Sequence, residues 1–143
     1  MRQAAAFGRY FRGVAPAVNE KGSPADQVLE ANDAFYRAFN DKDISAMAGI
    51  WAASEDVTCI HPGWNLLRGH SMVMESWQAI LDNRNQPRIL TGGASVNLAG
   101  DVALVLCREL VGGIPLAATN VFILEDGAWR LLHHHSGPVD AQI

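Results

Sequence analysis

The sequence contains few cysteines, no excess of positive charge and no long hydrophobic run, and each shortage excludes a class of protein. Two cysteines in 143 residues are too few for a disulfide framework. No apolar run approaches the roughly 20 residues that span a bilayer. Eleven basic against fifteen acidic residues give a net charge of −4, whereas nucleic-acid binders usually carry a basic surface. We therefore expect neither a membrane nor a nucleic acid as partner, and two reduced, buried thiols in a cytoplasmic protein.

The remaining composition is that of one globular domain. Hydrophobic residues make up 49% and charged residues 18% of the chain, which excludes a disordered or fibrous protein. We divide the chain into an N-terminal arm (1–22), a domain (23–138) and a C-terminal tail (139–143). The arm is rich in arginine and has no acidic residue before Glu20. It is either a plain arm or an organelle transit peptide; its apolar stretches are too interrupted for a secretory signal.

Three helices are predicted in the first half of the domain. Ser23 followed by Pro24 is typical of a helix start, and apolar residues then recur at helical spacing to about Asn40. Asp43 is placed to cap a second, shorter helix. A third helix follows Gly69, with apolar residues on one face.

The second half of the domain predicts strands joined by tight turns. A short strand at 57–61 precedes the third helix, and four longer strands follow it. Gly-containing separators of the hairpin type lie between them. Helices first and antiparallel strands after predict the α+β class. The longer strands are expected at 88–98, 102–111, 116–124 and 128–136.

Both alternating faces of two predicted strands are apolar, over Val102–Leu106 and Val121–Leu124. A sheet with one face in water normally alternates apolar and polar residues. One face is therefore expected under the helices, and the other under a second copy of the same sheet. The sequence predicts a homodimer.

Turn positions predict which side chains share a face. If Asp126-Gly127 is a two-residue turn, counting outward places His133 opposite Asn120 and sends His135 to the same face, with His134 on the other. A slip of one residue would reverse every assignment. The same count from the Gly112-Gly113 turn puts three more side chains on the face of Asn120, namely Glu109, Cys107 and Val105.

The order of elements and three sequence stretches resemble the nuclear transport factor 2-like superfamily, which includes SnoaL-like cyclases, ketosteroid isomerases and kinase association domains. The resemblance implies a cone: three helices packed on a strongly curved, mostly antiparallel sheet. It covers about 24–138. The stretches are AFYRAFNDKD (34–43), DVTCIHP (56–62) and DGAWRLLHHHS (126–136).

The ketosteroid isomerase pattern implies roles for three positions. Its proton-abstracting Asp corresponds to His61, and its second, protonated acid corresponds to Asn120. Its oxyanion Tyr corresponds to Phe35, with Tyr36 one place along. One role is therefore absent and two are replaced, so we do not expect ketosteroid isomerase activity as such. A pair formed by His61 and Asn120 across an apolar cavity remains.

The candidate catalytic residues are His61 as general base, Asn120 as carbonyl anchor, and His133 and His135 as assisting groups. Each also has a purely structural interpretation, such as a main-chain hydrogen bond or a polar lining. Cys59, His61, His133 and His135 would suit tetrahedral zinc, but no compact spacing motif is present and we expect no metal. The predicted ligand-cavity residues are Tyr36, Cys59, Trp64, Trp77, Phe122 and Trp129.

These expectations lead to a function of one of two kinds. The first is a cofactor-free isomerase, cyclase or dehydratase that transfers protons near a carbonyl. Its ligand would be small and apolar, with a carbonyl or hydroxyl group. The second is a non-catalytic ligand-binding or oligomerisation domain of the association type. A reachable cavity beside His61 would favour the first.

Overall fold

The computed structural model describes residues 22–140, which form three helices and one six-stranded sheet. The predicted α+β class is confirmed. All but one residue of the predicted arm, and residues 141–143 of the predicted tail, lie outside the described residues. The helices are α1 (Pro24–Asn40), α2 (Ile44–Ile50) and α3 (His70–Asp82). The strands are β1 (Thr58–Ile60), β2 (Leu67–Arg68), β3 (Ile89–Ala99), β4 (Val102–Val111), β5 (Ile114–Glu125) and β6 (Ala128–Pro138).

The helices begin where the capping signals predict. The Ser23 side chain accepts a hydrogen bond from the Asp26 backbone N at 3.1 Å, and the Asp26 carboxylate accepts from the Ser23 backbone N at 3.4 Å. The Asp43 carboxylate accepts from the backbone N of Ala46 at 3.0 Å at the start of α2. Gly69 precedes α3 at a φ of 90°, a conformation that L side chains rarely adopt. None of the three helices is both long and apolar enough to cross a membrane.

The sheet has the strand order β2-β1-β6-β5-β4-β3 and stays open, with β2 and β3 as its edges. All neighbouring strands are antiparallel except β1 and β6, which run parallel. The helices cover the inner face, where Phe35, Trp51 and Phe122 are among the largest fully buried side chains. The outer face is not covered by any element of residues 22–140 and exposes Leu90, Leu106 and Leu110 among other apolar side chains.

The turns are those predicted, but a bulge changes the register in β6. Glu125 pairs with Ala128 across the Asp126-Gly127 turn, as expected. Between Val121 and Phe122 the pairing shifts by one residue, because Leu132 is an extra residue in β6. The predicted pairing of Asn120 with His133 is therefore wrong, and Asn120 pairs with His134.

The predicted register at the other hairpin is correct. Val111 pairs with Ile114 across Gly112-Gly113, so Glu109 lies on the inner face with Asn120. A second bulge lies in β3 between Gly92 and Ser95, where the Gly92-Gly93 pair indicates a bend or bulge.

Candidate functional site

A cavity of about 420 Å³ lies between α3 and the inner face of the sheet. Its walls are mainly apolar and include the aromatic side chains of Phe39, Trp64 and Trp77. Most of its polar lining is itself buried, since His61, Glu109, His134 and Ser136 are each no more than 3% exposed. An apolar cavity with a few placed polar groups is the usual form of a small-molecule site.

His61 follows β1 and is held in one tautomer by α3. Its Nε2 lies 2.8 Å from the Ser76 hydroxyl oxygen, and that hydroxyl donates its only hydrogen to the Val73 carbonyl oxygen at 2.6 Å. The Ser76 oxygen can therefore only accept from His61, so Nε2 carries the ring proton. Nδ1 is left with a lone pair, and among residues 22–140 its one polar contact is the Cys59 thiol at 3.8 Å. Burial lowers the pKa of His61 to about 4, so the ring is neutral at pH 7.

His134 lies on β6 and has the complementary tautomer. Both Nδ2 hydrogens of Asn120 are donated, one to Asn32 Oδ1 at 2.8 Å and one to the Tyr36 hydroxyl at 3.1 Å. The Asn120 Oδ1 atom is therefore the acceptor that faces His134 Nδ1 at 2.5 Å, and Nδ1 carries the proton. Nε2 of His134 makes no hydrogen bond with any residue between 22 and 140. Burial, with smaller effects of the neighbouring histidines, lowers the pKa of His134 to about 3.

Glu109 on β4 completes this network. One carboxylate oxygen accepts from the Tyr36 hydroxyl at 2.6 Å and the other from the Ser136 hydroxyl. Burial and the Glu109 charge raise the pKa of Tyr36 well above its usual range, so the phenol stays a donor. The hydrogen bonds from His134, Asn120, Tyr36 and Ser136 all lead toward the Glu109 carboxylate, an arrangement in which each bond polarises the next.

Trp77 on α3 supplies an unused donor beside the histidines. Its ring centroid lies 4.6 Å from that of His61 and 5.9 Å from that of His134. The indole Nε1 is buried and has no hydrogen-bond partner within the described part of the chain. Buried polar groups are nearly always satisfied, but this atom lies within the packed wall, like the Trp51 indole nitrogen, and is not exposed to the cavity.

The predicted site residues are distributed in three ways. Three of them, His61, Trp64 and Trp77, line the cavity, with Trp64 partly exposed and its ring centroid 4.8 Å from that of His61. Asn120 and Tyr36 lie behind the wall and hold His134 and Glu109. The other predicted cavity residues pack in or against the hydrophobic core: Cys59, Phe122 and Trp129.

His133 and His135 do not reach the cavity, which corrects their predicted orientation. The Leu132 bulge turns both to the outer face, where His133 Nδ1 lies 2.7 Å from the Thr58 hydroxyl oxygen. The zinc alternative fails on the same geometry, and no group of three His, Cys, Asp or Glu side chains among residues 22–140 is arranged to hold a metal ion. Burial raises the pKa of the Cys59 thiol to about 12, so it remains protonated at pH 7.

Sequence reasoning missed several members of the site. His134 was directed to the wrong face by the unseen bulge, although the run His133–His135 guarantees that some histidine points inward. Ser76, Ser136 and Asn32 carry no local signal, because their partners are brought to them only by the tertiary fold.

Comparison with known families and proteins gives a consistent result. A family model described as a SnoaL-like domain matches residues 28–140. The F-box protein SKIP8 of Arabidopsis thaliana is 31% identical over 111 residues, which are 76% of this chain and 48% of that protein. The chain thus spans about half the length of this curated relative.

Two solved structures are similar over most of their own length. The first, from Streptomyces avermitilis, is described as a candidate dehydratase of the NTF2-like family. It is 34% identical with a TM-score of 0.75, covering 82% of this chain and 96% of that one. The second, from Thiobacillus denitrificans, is described as a candidate calcium/calmodulin-dependent protein kinase type II association domain. It is 27% identical with a TM-score of 0.72, again covering 82% and 96%.

Proposed function

The chain belongs to the SnoaL-like domain family of the nuclear transport factor 2-like superfamily, as its sequence predicts, and on that premise we propose that it binds a small, largely apolar molecule and transfers protons near its carbonyl or hydroxyl group. The observation that best supports this proposal is the pair of neutral histidines, His61 and His134. In each ring one nitrogen is fixed as a hydrogen-bond donor and the other is left as a base. The dehydratase description of a 34% identical structure supports chemistry of this class.

The proposed steps use only side chains of the cavity. The apolar part of the ligand packs against the aromatic rings of the cavity, with its carbonyl or hydroxyl group beside His61 and His134. Asn120 does not bind the ligand, because both of its donors are already bound. Nδ1 of His61 or Nε2 of His134 then removes a proton next to the carbonyl and can return it elsewhere. The chain of hydrogen bonds from His134 through Asn120 and Tyr36 to the Glu109 carboxylate stabilises an imidazolium at His134 while the proton is held. Acid–base assistance of this kind contributes about 10²–10⁴-fold.

Proton abstraction is testable without knowing the physiological substrate. In heavy water, the protein should accelerate deuterium incorporation next to the carbonyl of at least one member of a panel of small apolar ketones, followed by proton NMR. His61→Gln and His134→Gln should each lower the exchange rate about 10-fold or more. His135→Gln, on the outer face, should leave it unchanged. The proposal is wrong if the wild-type protein binds no panel member and exchanges no proton, or if the cavity variants match the His135 variant.

A homodimer through the outer sheet face is part of the proposal. Leu106 and Leu110 are each 41% exposed there and Leu90 61%, and burying apolar area contributes about 25 cal/mol per Å². Cys59 and Cys107 are free thiols, which fits the cytoplasmic location we propose. The alternative function is an association domain without catalysis, for which the 27% identical structure is the supporting observation.

The oligomeric state separates these alternatives. Light scattering should give the wild-type protein twice the 15.5 kDa chain mass, and Leu106→Glu should give a single chain, because charge in an apolar interface is costly. Met72→Glu is the control, since Met72 is 50% exposed on α3, away from that face. A wild-type monomer would disprove the dimer, and a larger ring would favour the association function.

A further inference from the structure

Two buried polar groups of the cavity lining, the Glu109 carboxylate and His134 Nε2, form its floor, and both are hydrogen-bond acceptors. Glu109 uses one position on each carboxylate oxygen, for Tyr36 and Ser136. A carboxylate offers about four positions, so roughly two remain. The cavity lining also includes Nε2 of His134. This nitrogen is unprotonated and has a free lone pair, because the ring proton is on Nδ1, which donates to Asn120. A ligand group that fits this floor must donate hydrogen bonds.

Among the described residues, the Glu109 carboxylate accepts hydrogen bonds from two neutral hydroxyl groups, those of Tyr36 and Ser136, but has no cationic partner. No basic side chain between residues 22 and 140 forms an ion pair with Glu109. Lys42 is exposed and donates to the backbone oxygen of Asn83, a cavity-lining residue, at 3.0 Å. His61 and His134 are neutral at pH 7, as described above. A buried carboxylate is costly unless it is paired, so this cavity is arranged to receive a cation.

The walls suit a cation with an apolar body. Trp64 and Trp77 line the cavity together with Phe39, and the faces of such rings attract positively charged nitrogen within about 6 Å. A ligand carboxylate or phosphate would instead meet the like charge of Glu109.

We propose that the ligand carries a protonated amine that donates hydrogen bonds to the Glu109 carboxylate and His134 Nε2, with its apolar part against the tryptophan rings. This inference rests on the proposed function, since it takes the same cavity as the ligand site. The ligand then carries a positively charged amine in addition to its carbonyl or hydroxyl group, and because the amine occupies His134 Nε2, Nδ1 of His61 is the base. The substrate class becomes an amine-bearing carbonyl or hydroxyl compound.

Calorimetry with three probes of similar shape tests the amine directly: phenethylamine, phenethyl alcohol and hydrocinnamate. In the wild-type protein the amine should bind at least about 10-fold more tightly than the alcohol, and hydrocinnamate should not bind measurably. This ranking needs no variant and so does not depend on a mutant folding. Glu109→Gln should remove the preference for the amine. Glu125→Gln, which makes the same charge change at an exposed turn, should preserve it.

The outcomes distinguish this inference from the proposed function. Equal affinity for amine and alcohol, or an amine preference that survives Glu109→Gln, would disprove the inferred amine group of the ligand. Either result would leave the cavity as a ligand site. Binding of none of the three probes would also overturn the amine. The deuterium exchange of the ketone panel then decides independently whether the proton-transfer function stands.

Discussion

Asn120→Ala is expected to lower the free energy of unfolding by about 3–5 kcal/mol, a large part of the 5–15 kcal/mol typical of a domain. The substitution removes three buried hydrogen bonds at once, to Asn32, Tyr36 and His134. Each buried polar group left unsatisfied costs about 1–3 kcal/mol, and the vacated volume adds to this. Urea unfolding of variant and wild-type protein measures the difference.

The chain contains a matched control for this prediction. Asn97 lies in β3, and its Oδ1 atom is buried without a hydrogen-bond partner in the described structure. Asn97→Ala therefore removes no side-chain hydrogen bond to another residue of 22–140, and it is expected to change the free energy of unfolding by less than about 1 kcal/mol. Equal losses in the two variants would mean that the network around Asn120 contributes nothing beyond its volume.

The sequence predicts the sheet better than it predicts which side chains enter the cavity. Asp126-Gly127 and Gly112-Gly113 specify two-residue turns, and both pairings are correct next to the turn. The error begins at Leu132, where an extra residue shifts the register. No sequence feature in the run of leucines and histidines predicts that bulge, whereas the Gly92-Gly93 pair does predict the bulge in β3. This one extra residue places His134 on the inner face of the sheet, where His133 and His135 are predicted.

The polar network shows a second limit of sequence reasoning. Glu109 was placed on the correct face by counting from a turn, but its partners could not be deduced. Tyr36 lies 73 residues away in the chain and Ser136 lies 27 away. Such contacts depend on how α1 crosses the sheet, which local periodicity does not encode. His61 was found because its position beside Pro62 resembles a family motif, not because its spacing to Ser76 is informative.

Acidification from pH 7.5 to 5 is expected to lower the free energy of unfolding by about 4 kcal/mol. In the unfolded chain His61 and His134 titrate near 6.5, whereas burial lowers their pKa values in the folded protein to about 4 and about 3. Between these values the unfolded chain binds protons that the folded protein does not, so stability is full above pH 6.5 and falls as the pH decreases. Each histidine contributes about 2 kcal/mol over this interval at 1.36 kcal/mol per unit. Carboxyl groups mostly titrate at lower pH.

Substitution of a single histidine separates this cause from general acid unfolding. His61→Gln and His134→Gln remove one titrating group each, so each should reduce the loss between pH 7.5 and 5 by about half, whatever its effect on stability at pH 7.5. His135→Gln should change the loss much less, because that side chain is exposed on the outer face and is the smallest of the causes that lower the His134 pKa. Urea unfolding at several pH values gives the slopes. Parallel slopes in all four proteins would mean that neither ring is held neutral by burial.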